Sequence, residues 1–206
     1  MITSDLVQRW LTFWGYGSLD APTWFVGMEE GLTSTDISEL EIRFHATDGK
    51  ITADMRSDMT ALSSHVKWFR PPFPLQYTWR YIIVLYLSLV NGRPPSREEM
   101  REYQRVALGD TKLKQTAVIE LMPLPSNTAD ESGWLYAGYN VVGLGTRREY
   151  TKTYNHIRVK LLHHKAPKST GQKSSLIRTV LGPSPREDPA AAASADERKI
   201  RRRNLA

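Results

Sequence analysis

The chain has 206 residues, with 28 Lys+Arg against 22 Asp+Glu, 40% hydrophobic residues and no cysteine. That is enough chain and apolar content for one hydrophobic core, and it excludes a disulfide framework, a thiolate zinc site, an iron–sulfur cluster and a cysteine nucleophile. The longest apolar run, residues 81–90 (YIIVLYLSLV), is far shorter than the ~20 residues a bilayer core needs, and MITSDLVQRW at the start is not a signal peptide pattern. No membrane partner is expected, and the cytoplasm is the expected compartment.

The net charge of +6 is concentrated at one end: residues 165–206 hold ten Lys/Arg and four acids, so residues 1–164 are neutral, with eighteen of each. All six Trp, nine Tyr and five Phe lie in residues 1–164. The composition therefore steps from a foldable domain, 1–164, to a basic Ala/Pro/Arg-rich tail, 165–206, which can bury little apolar surface and is expected to be disordered. Arg201, Arg202 and Arg203 form a basic end suited to phosphate or simply to solvent.

In chain order, residues 23–26 (TWFV) read as a buried strand that stops at Gly27. A helix is expected over 35–45, with Ile37, Leu40 and Phe44 on one face and Thr33 and Asp36 in capping-box spacing. Residues 78–90 form a strongly apolar helix closed by Asn91-Gly92. Ser96 with Glu99 opens another, whose buried stripe is Met100, Tyr103 and Val106. A second strand, 116–122 (TAVIELM), is expected to end at Pro123, which has no N–H for a ladder. Thr146 with Glu149 starts a last helix whose Tyr150, Tyr154, Ile157 and Leu161 share a face. Two apolar strands separated by helices indicate an α/β fold: three layers with a mainly parallel central sheet.

Three segments carry candidate chemistry. Gly27-Met28-Glu29-Glu30-Gly31 follows the first strand, at the sheet edge where α/β proteins bind ligands. Adjacent carboxylates beside an apolar strand suit a base that activates water, although a polar turn with solvated glutamates has the same letters. Glu120-Leu121-Met122-Pro123-Leu124-Pro125-Ser126-Asn127 leaves the second strand, and its prolines can brace Ser126 and Asn127 over a ligand or act as a connector. Glu120, ending an apolar strand, needs a partner or solvent. The third segment, 67–81, interleaves aromatics with Lys67, Arg70 and Arg80, as in surfaces that stack unpaired bases. Trp79 and Tyr81 are expected inside the helix packing, leaving Trp68, Phe69 and Phe73 as exposed candidates. His45, His65, His156, His163 and His164 lack metal-ligand spacing, so no metal is expected. Dinucleotide, P-loop and serine-hydrolase motifs are absent from the sequence.

Taken together, W-F-V-G-M-E-E-G, L-Q-Y-T-W-R, Y-Q-R-V-A-L-G and E-L-M-P-L-P-S resemble bacterial and phage members of the uracil-DNA glycosylase superfamily over residues 20–160. The resemblance implies a DNA partner and hydrolysis of the N-glycosidic bond of a flipped, damaged or modified base, with no metal or organic cofactor. It puts Glu29 at the position that orients water. Glu30 stands where the family has proline, so both glutamates are candidates. Gly27, Met28, Glu120, Ser126 and Asn127 would surround the base, with Glu120 replacing the usual base-reading Asn, and Lys67, Trp68, Phe69, Arg70 and Phe73 would contact DNA, in a monomer. The family's His-Pro-Ser-type motif has no counterpart. A frameshift or alternative end near codons 163–168, leaving the sheet without its last strands, would account for this. A non-catalytic nucleic-acid- or protein-binding remnant, or a degenerate reading frame, are the rivals.

Overall fold

The computed structural model describes residues 1–32, 37–126, 131–165 and 176–177. Its strands are β1 (Gly15–Gly17), β2 (Thr23–Gly31), β3 (Thr52–Ala53), β4 (Thr116–Ser126) and β5 (Leu176–Ile177). Its α-helices are α1 (Ser4–Trp10), α2 (Ile37–Thr47), α3 (Met55–Thr60), α4 (Tyr77–Asn91), α5 (Arg97–Val106) and α6 (Arg147–Lys165). The strands form one sheet in the order β3-β1-β4-β2-β5, parallel at every step except β1 against β4.

Alternation along β2 and β4 divides the apolar side chains between two faces. Phe25 and Val118 join a core built with Trp10 of α1, Phe44 of α2, Met55 of α3, Ile82 and Ile83 of α4 and Tyr103 of α5. Trp24, Ala117 and Ile119 point to the other face, where Trp14 and Leu162 of α6 cover them. The result is the expected α/β architecture, with helices on both sides of a mainly parallel sheet.

Local signals set several boundaries. Gly92 closes α4 in the left-handed conformation, and Ser96 and Glu99 make a reciprocal capping box on α5. Thr146 Oγ1 accepts from Glu149 N at 3.0 Å at the start of α6. Gly15 has φ 129°, and a Cβ there would stand 2.2 Å from the Val118 carbonyl oxygen, so only glycine lets β1 approach β4 this closely.

Other expectations are corrected. β2 does not stop at Gly27 but runs on to Gly31, because β4 also continues and pairs with it at Glu120, Met122 and Ser126. β4 passes through Pro123 and Pro125. Its register shifts against β2 between Glu29 and Gly31, and side chains satisfy the proline segment instead of a ladder. Trp10 Nε1 donates to the Pro123 carbonyl at 2.7 Å, Tyr136 OH to the Pro125 carbonyl at 2.8 Å, and Leu124 N to Tyr150 OH at 2.8 Å.

The helix faces also differ from the sequence expectation. Leu40, Phe44, Tyr103 and Tyr150 are buried, but Ile37, Val106, Ile157 and Leu161 are exposed, and Tyr81 lies on the open side of α4. Arg43, Gln104 and Arg158 are buried in their place: Gln104 and Arg158 donate to backbone carbonyls of distant chain segments, while Arg43 is ion-paired with Glu30 and Glu39 and keeps a buried Nε without a hydrogen-bond partner. The expected cap pair Thr33 and Asp36 lies outside the described residues. So does the tail, apart from Lys165, which ends α6, and Leu176–Ile177. The sheet does gain a strand after α6: Leu176 and Ile177 pair with Trp24 and Phe25, covering the edge of β2 there.

Candidate carboxylate site

The parallel pairing of β2 and β4 sets Gly27 beside Glu120 and Glu29 beside Met122. A Cβ on Gly27 would stand 3.0 Å from Glu120 Oε2, so the missing side chain makes room for the carboxyl group. Glu120 is only 8% exposed, and its Oε2 is buried with no hydrogen-bond partner. Burial first, then the negative charges of Glu30 and Glu29, pushes this carboxyl up to about 8, with Arg158 and Arg43 opposing. At neutral pH Glu120 is mostly the neutral acid, which holds both a donor and an acceptor.

Glu29 is ion-paired with Arg147 Nη2, and Arg147 Nη1 donates to Ser126 Oγ at 3.0 Å. One guanidinium at the start of α6 thus ties the ends of both strands together. Burial raises the Glu29 pKa, and the Arg147 hydrogen bond and charge counteract it. Glu29 Oε2 is buried without a partner. Glu131 holds Arg147 in place by accepting from the backbone N–H groups of Arg147 and Arg148 at 2.8 and 2.7 Å, where the helix dipole favours an anion.

Glu30 belongs to a deeper network. Tyr16 OH donates to its Oε2 at 3.0 Å, and Arg43 Nη1 lies 3.0 Å from its Oε1 in ion-pair contact. Arg43 Nη2 also donates to Glu39 Oε1 at 2.9 Å. Burial works to lower the Arg43 pKa, but Glu30, Tyr16 and Glu39 outweigh it, so the guanidinium lies above its ordinary value. His65, 3.6 Å from Glu39 through Nδ1, is pushed down to about 4 by burial and then by Arg43, so it is neutral at pH 7.

Glu29, Glu30, Gly27, Met28, Glu120 and Ser126 therefore gather at one end of the β2/β4 pair, although on strands instead of loops. Met28 is partly buried against the main core, and Asn127 lies outside the described residues. Among the described residues no group of three His, Asp or Glu side chains has a geometry that would hold a metal ion. Among the described residues two surface depressions lie elsewhere, one lined by Gly143, Glu149, Lys152, Thr153 and His156, the other between α1 and α2. Sequence reasoning missed Tyr16, Arg43, Arg147 and Arg158. Tyr16 between two glycines, and Arg147 immediately after a helix cap, are the only local signals that set any of them apart.

The expected DNA-contacting residues divide. Lys67 and Arg70 are exposed, and Lys67 Nζ sits 4.5 Å from the centre of the half-buried Trp68 ring. Phe73 is half-buried, with the Arg105 guanidinium 5.8 Å from its ring centre. Phe69, expected on the surface, is buried against Trp79 at 5.8 Å, because the 3-10 turn Val66–Phe69 points it inward.

No family model matches the chain, and neither the curated proteins nor the solved structures searched contain a match. Among the described residues no helix is long and apolar enough to cross a membrane.

Proposed function

We propose that the chain hydrolyses the N-glycosidic bond of a nucleobase flipped out of DNA, with Glu29 orienting water and Glu120 meeting the base. The observation that carries this reading is the pairing of two unlike carboxyl groups on neighbouring strands. Glu29 is held in an ion pair, while Glu120 is sequestered with an unpartnered oxygen. Cleavage leaves positive charge on the sugar and negative charge on the departing base, so it needs an ionised carboxylate on one side and a hydrogen-bond donor on the other. A neutral Glu120 has an O–H for a base carbonyl or ring nitrogen and a carbonyl oxygen for a base N–H. Glu30, engaged with Tyr16 and Arg43, supports this arrangement from below.

The reading also includes a DNA-binding contribution from Lys67, Trp68, Arg70 and Phe73, and a monomeric chain acting in the cytoplasm. A second reading, a non-catalytic nucleic-acid-binding module, is favoured by the exposed cation–aromatic pairs combined with the nearly complete burial of Glu29 Oε2 and Glu120 Oε2. The deciding experiment is single-turnover incubation of the full chain with duplexes and single strands carrying uracil or modified cytosines, scored for abasic sites. Product from the unmutated chain, lost in Glu29→Gln with DNA binding retained, supports the enzyme. Binding with no product on any substrate rejects it in favour of the module.

A further inference from the structure

The exposed side of α4 carries features that the carboxylate site does not use. Tyr77 is 44% exposed and Tyr81 47% exposed, one turn apart on α4, with ring centres 5.1 Å apart and planes at 81°. The Arg80 guanidinium lies 5.4 Å from the Tyr77 ring centre and 5.0 Å from that of Tyr81. Arg80 Nη2 donates to Tyr81 OH at 3.2 Å, and Tyr81 OH to Tyr77 OH at 3.0 Å, which orders the three side chains relative to one another.

The chain segment that carries this cluster holds charge of one sign, although Arg93 at its far end is ion-paired with Glu99 of α5. Between Asp58 and Glu98 the sequence contains no acid, while it holds Lys67, Arg70, Arg80, Arg93 and Arg97. The approach to α4 is also fixed in advance. Gln104, buried on α5, donates to the carbonyls of Trp68 and Pro74 at 3.0 Å each and accepts from Gln76 N at 3.0 Å. Gln76 in turn caps α4 by accepting from Trp79 N at 2.6 Å. A clamped segment binds with little ordering cost.

We propose that Tyr77, Arg80 and Tyr81 form a binding surface for single-stranded nucleic acid, with Arg70 and Lys67 the exposed cations that precede it along the chain. Unpaired bases stack on aromatic faces while nearby cations meet the phosphates, and this recognition tolerates any sequence. A paired duplex hides its base faces and loses the stacking part of the interaction. The proposal shares Lys67 and Arg70 with the DNA contacts of the glycosylase reading and goes beyond it at Tyr77, Arg80 and Tyr81, and it requires no chemistry at Glu29 or Glu120.

Fluorescence anisotropy of the full chain with labelled oligo(dT), oligo(U) and a matched duplex tests it. Both single strands are expected to bind more tightly than the duplex; preference for one of the two assigns the nucleic acid as DNA or RNA. The double substitution Tyr77→Ala/Tyr81→Ala is expected to weaken binding roughly 5- to 150-fold for each base unstacked. Arg80→Ala is expected to flatten the dependence of log K on log salt by about 0.7. All three side chains are exposed, and circular dichroism should show the variants folded. The rival occupant is a second copy docking along the same helix, where Leu85 and the 61% exposed Leu89 continue the stripe. Leu89→Ser separates the two: unchanged oligonucleotide binding supports the proposal. It is overturned if sedimentation shows a dimer that Leu89→Ser and the tyrosine substitutions abolish alike, if the duplex binds equally well, or if no oligonucleotide binds. Abasic-site formation without such binding would spare the glycosylase reading, and binding without abasic sites would spare this one.

Discussion

The end of the β2/β4 pair and the surface from Lys67 to Tyr81 treat charge in opposite ways. At the strand ends, Glu29, Glu30 and Glu120 are largely buried, and Arg147 and Arg43 neutralise the first two while Glu120 stays protonated. Between Lys67 and Tyr81 the cations are exposed, and the side chains that Lys67 and Arg80 contact are aromatic ones. Buried charge is costly unless paired, so the first region trades stability for a defined arrangement of carboxyl groups. Exposed cations cost almost nothing and contribute little to the fold. Substitutions should therefore affect the two regions differently: chemistry and stability in the first, binding alone in the second.

The largest expected effect is on turnover. If Glu29 orients the attacking water, Glu29→Gln slows single-turnover product formation by roughly 10²- to 10⁴-fold while leaving oligonucleotide affinity unchanged. A slower rate accompanied by an equal loss of affinity would erase the contrast between the regions. Next comes Arg43→Met, which leaves Glu30 and Glu39 buried without their cation. Urea denaturation is expected to show a loss of about 3–5 kcal/mol, against no measurable loss for Arg70→Met on the surface.

Glu120 supplies the pH dependence. Its folded-state pKa, raised from the ordinary 4.5 to about 8, means that the native chain binds more protons than the unfolded chain between those values. Stability therefore falls as pH rises from 4.5 to 8, by roughly 3 kcal/mol at pH 7, and Glu120→Gln should flatten that slope in denaturation curves taken across the range. His65, depressed from 6.5 to about 4, acts at the other end. Between these values the unfolded chain takes up a proton that the native chain does not, so stability falls as pH falls below 6.5, and His65→Gln should remove that loss.

Smaller still is Gln104→Ala, which frees two carbonyls and one N–H and should cost about 1–3 kcal/mol in thermal or urea unfolding, while loosening the surface that α5 clamps. The smallest stability effect belongs to Tyr77→Ala/Tyr81→Ala. A change within about 0.5 kcal/mol, alongside the expected loss of oligonucleotide binding, would make the comparison sharpest. A loss of several kcal/mol would mean that these rings serve the fold after all.

Elements with local causes were legible before any coordinates. The Ser96–Glu99 box and the Gly92 cap depend on residues three or four apart, and the alternation in TWFV and TAVIELM marks strands whatever packs on them. Glu29, Glu30, Glu120 and Ser126 stood out by letter and position, and parallel pairing brought them together. Helical period, in contrast, names a face without saying whether a neighbour covers it. Ile157 and Leu161 share a face as expected, yet they are exposed while Arg158 beside them is buried.

From the order of its apolar runs alone, the chain determined an α/β sheet with two parallel strands ending in acidic and proline-rich segments, because backbone pairing and side-chain alternation are properties of short windows. Only the tertiary structure decided which charges those segments meet. Arg147, Arg43 and Tyr16 arrive from α6, α2 and β1, and the pairing energy of a buried ion depends on distance and exclusion of water, neither of which any local stretch of residues encodes.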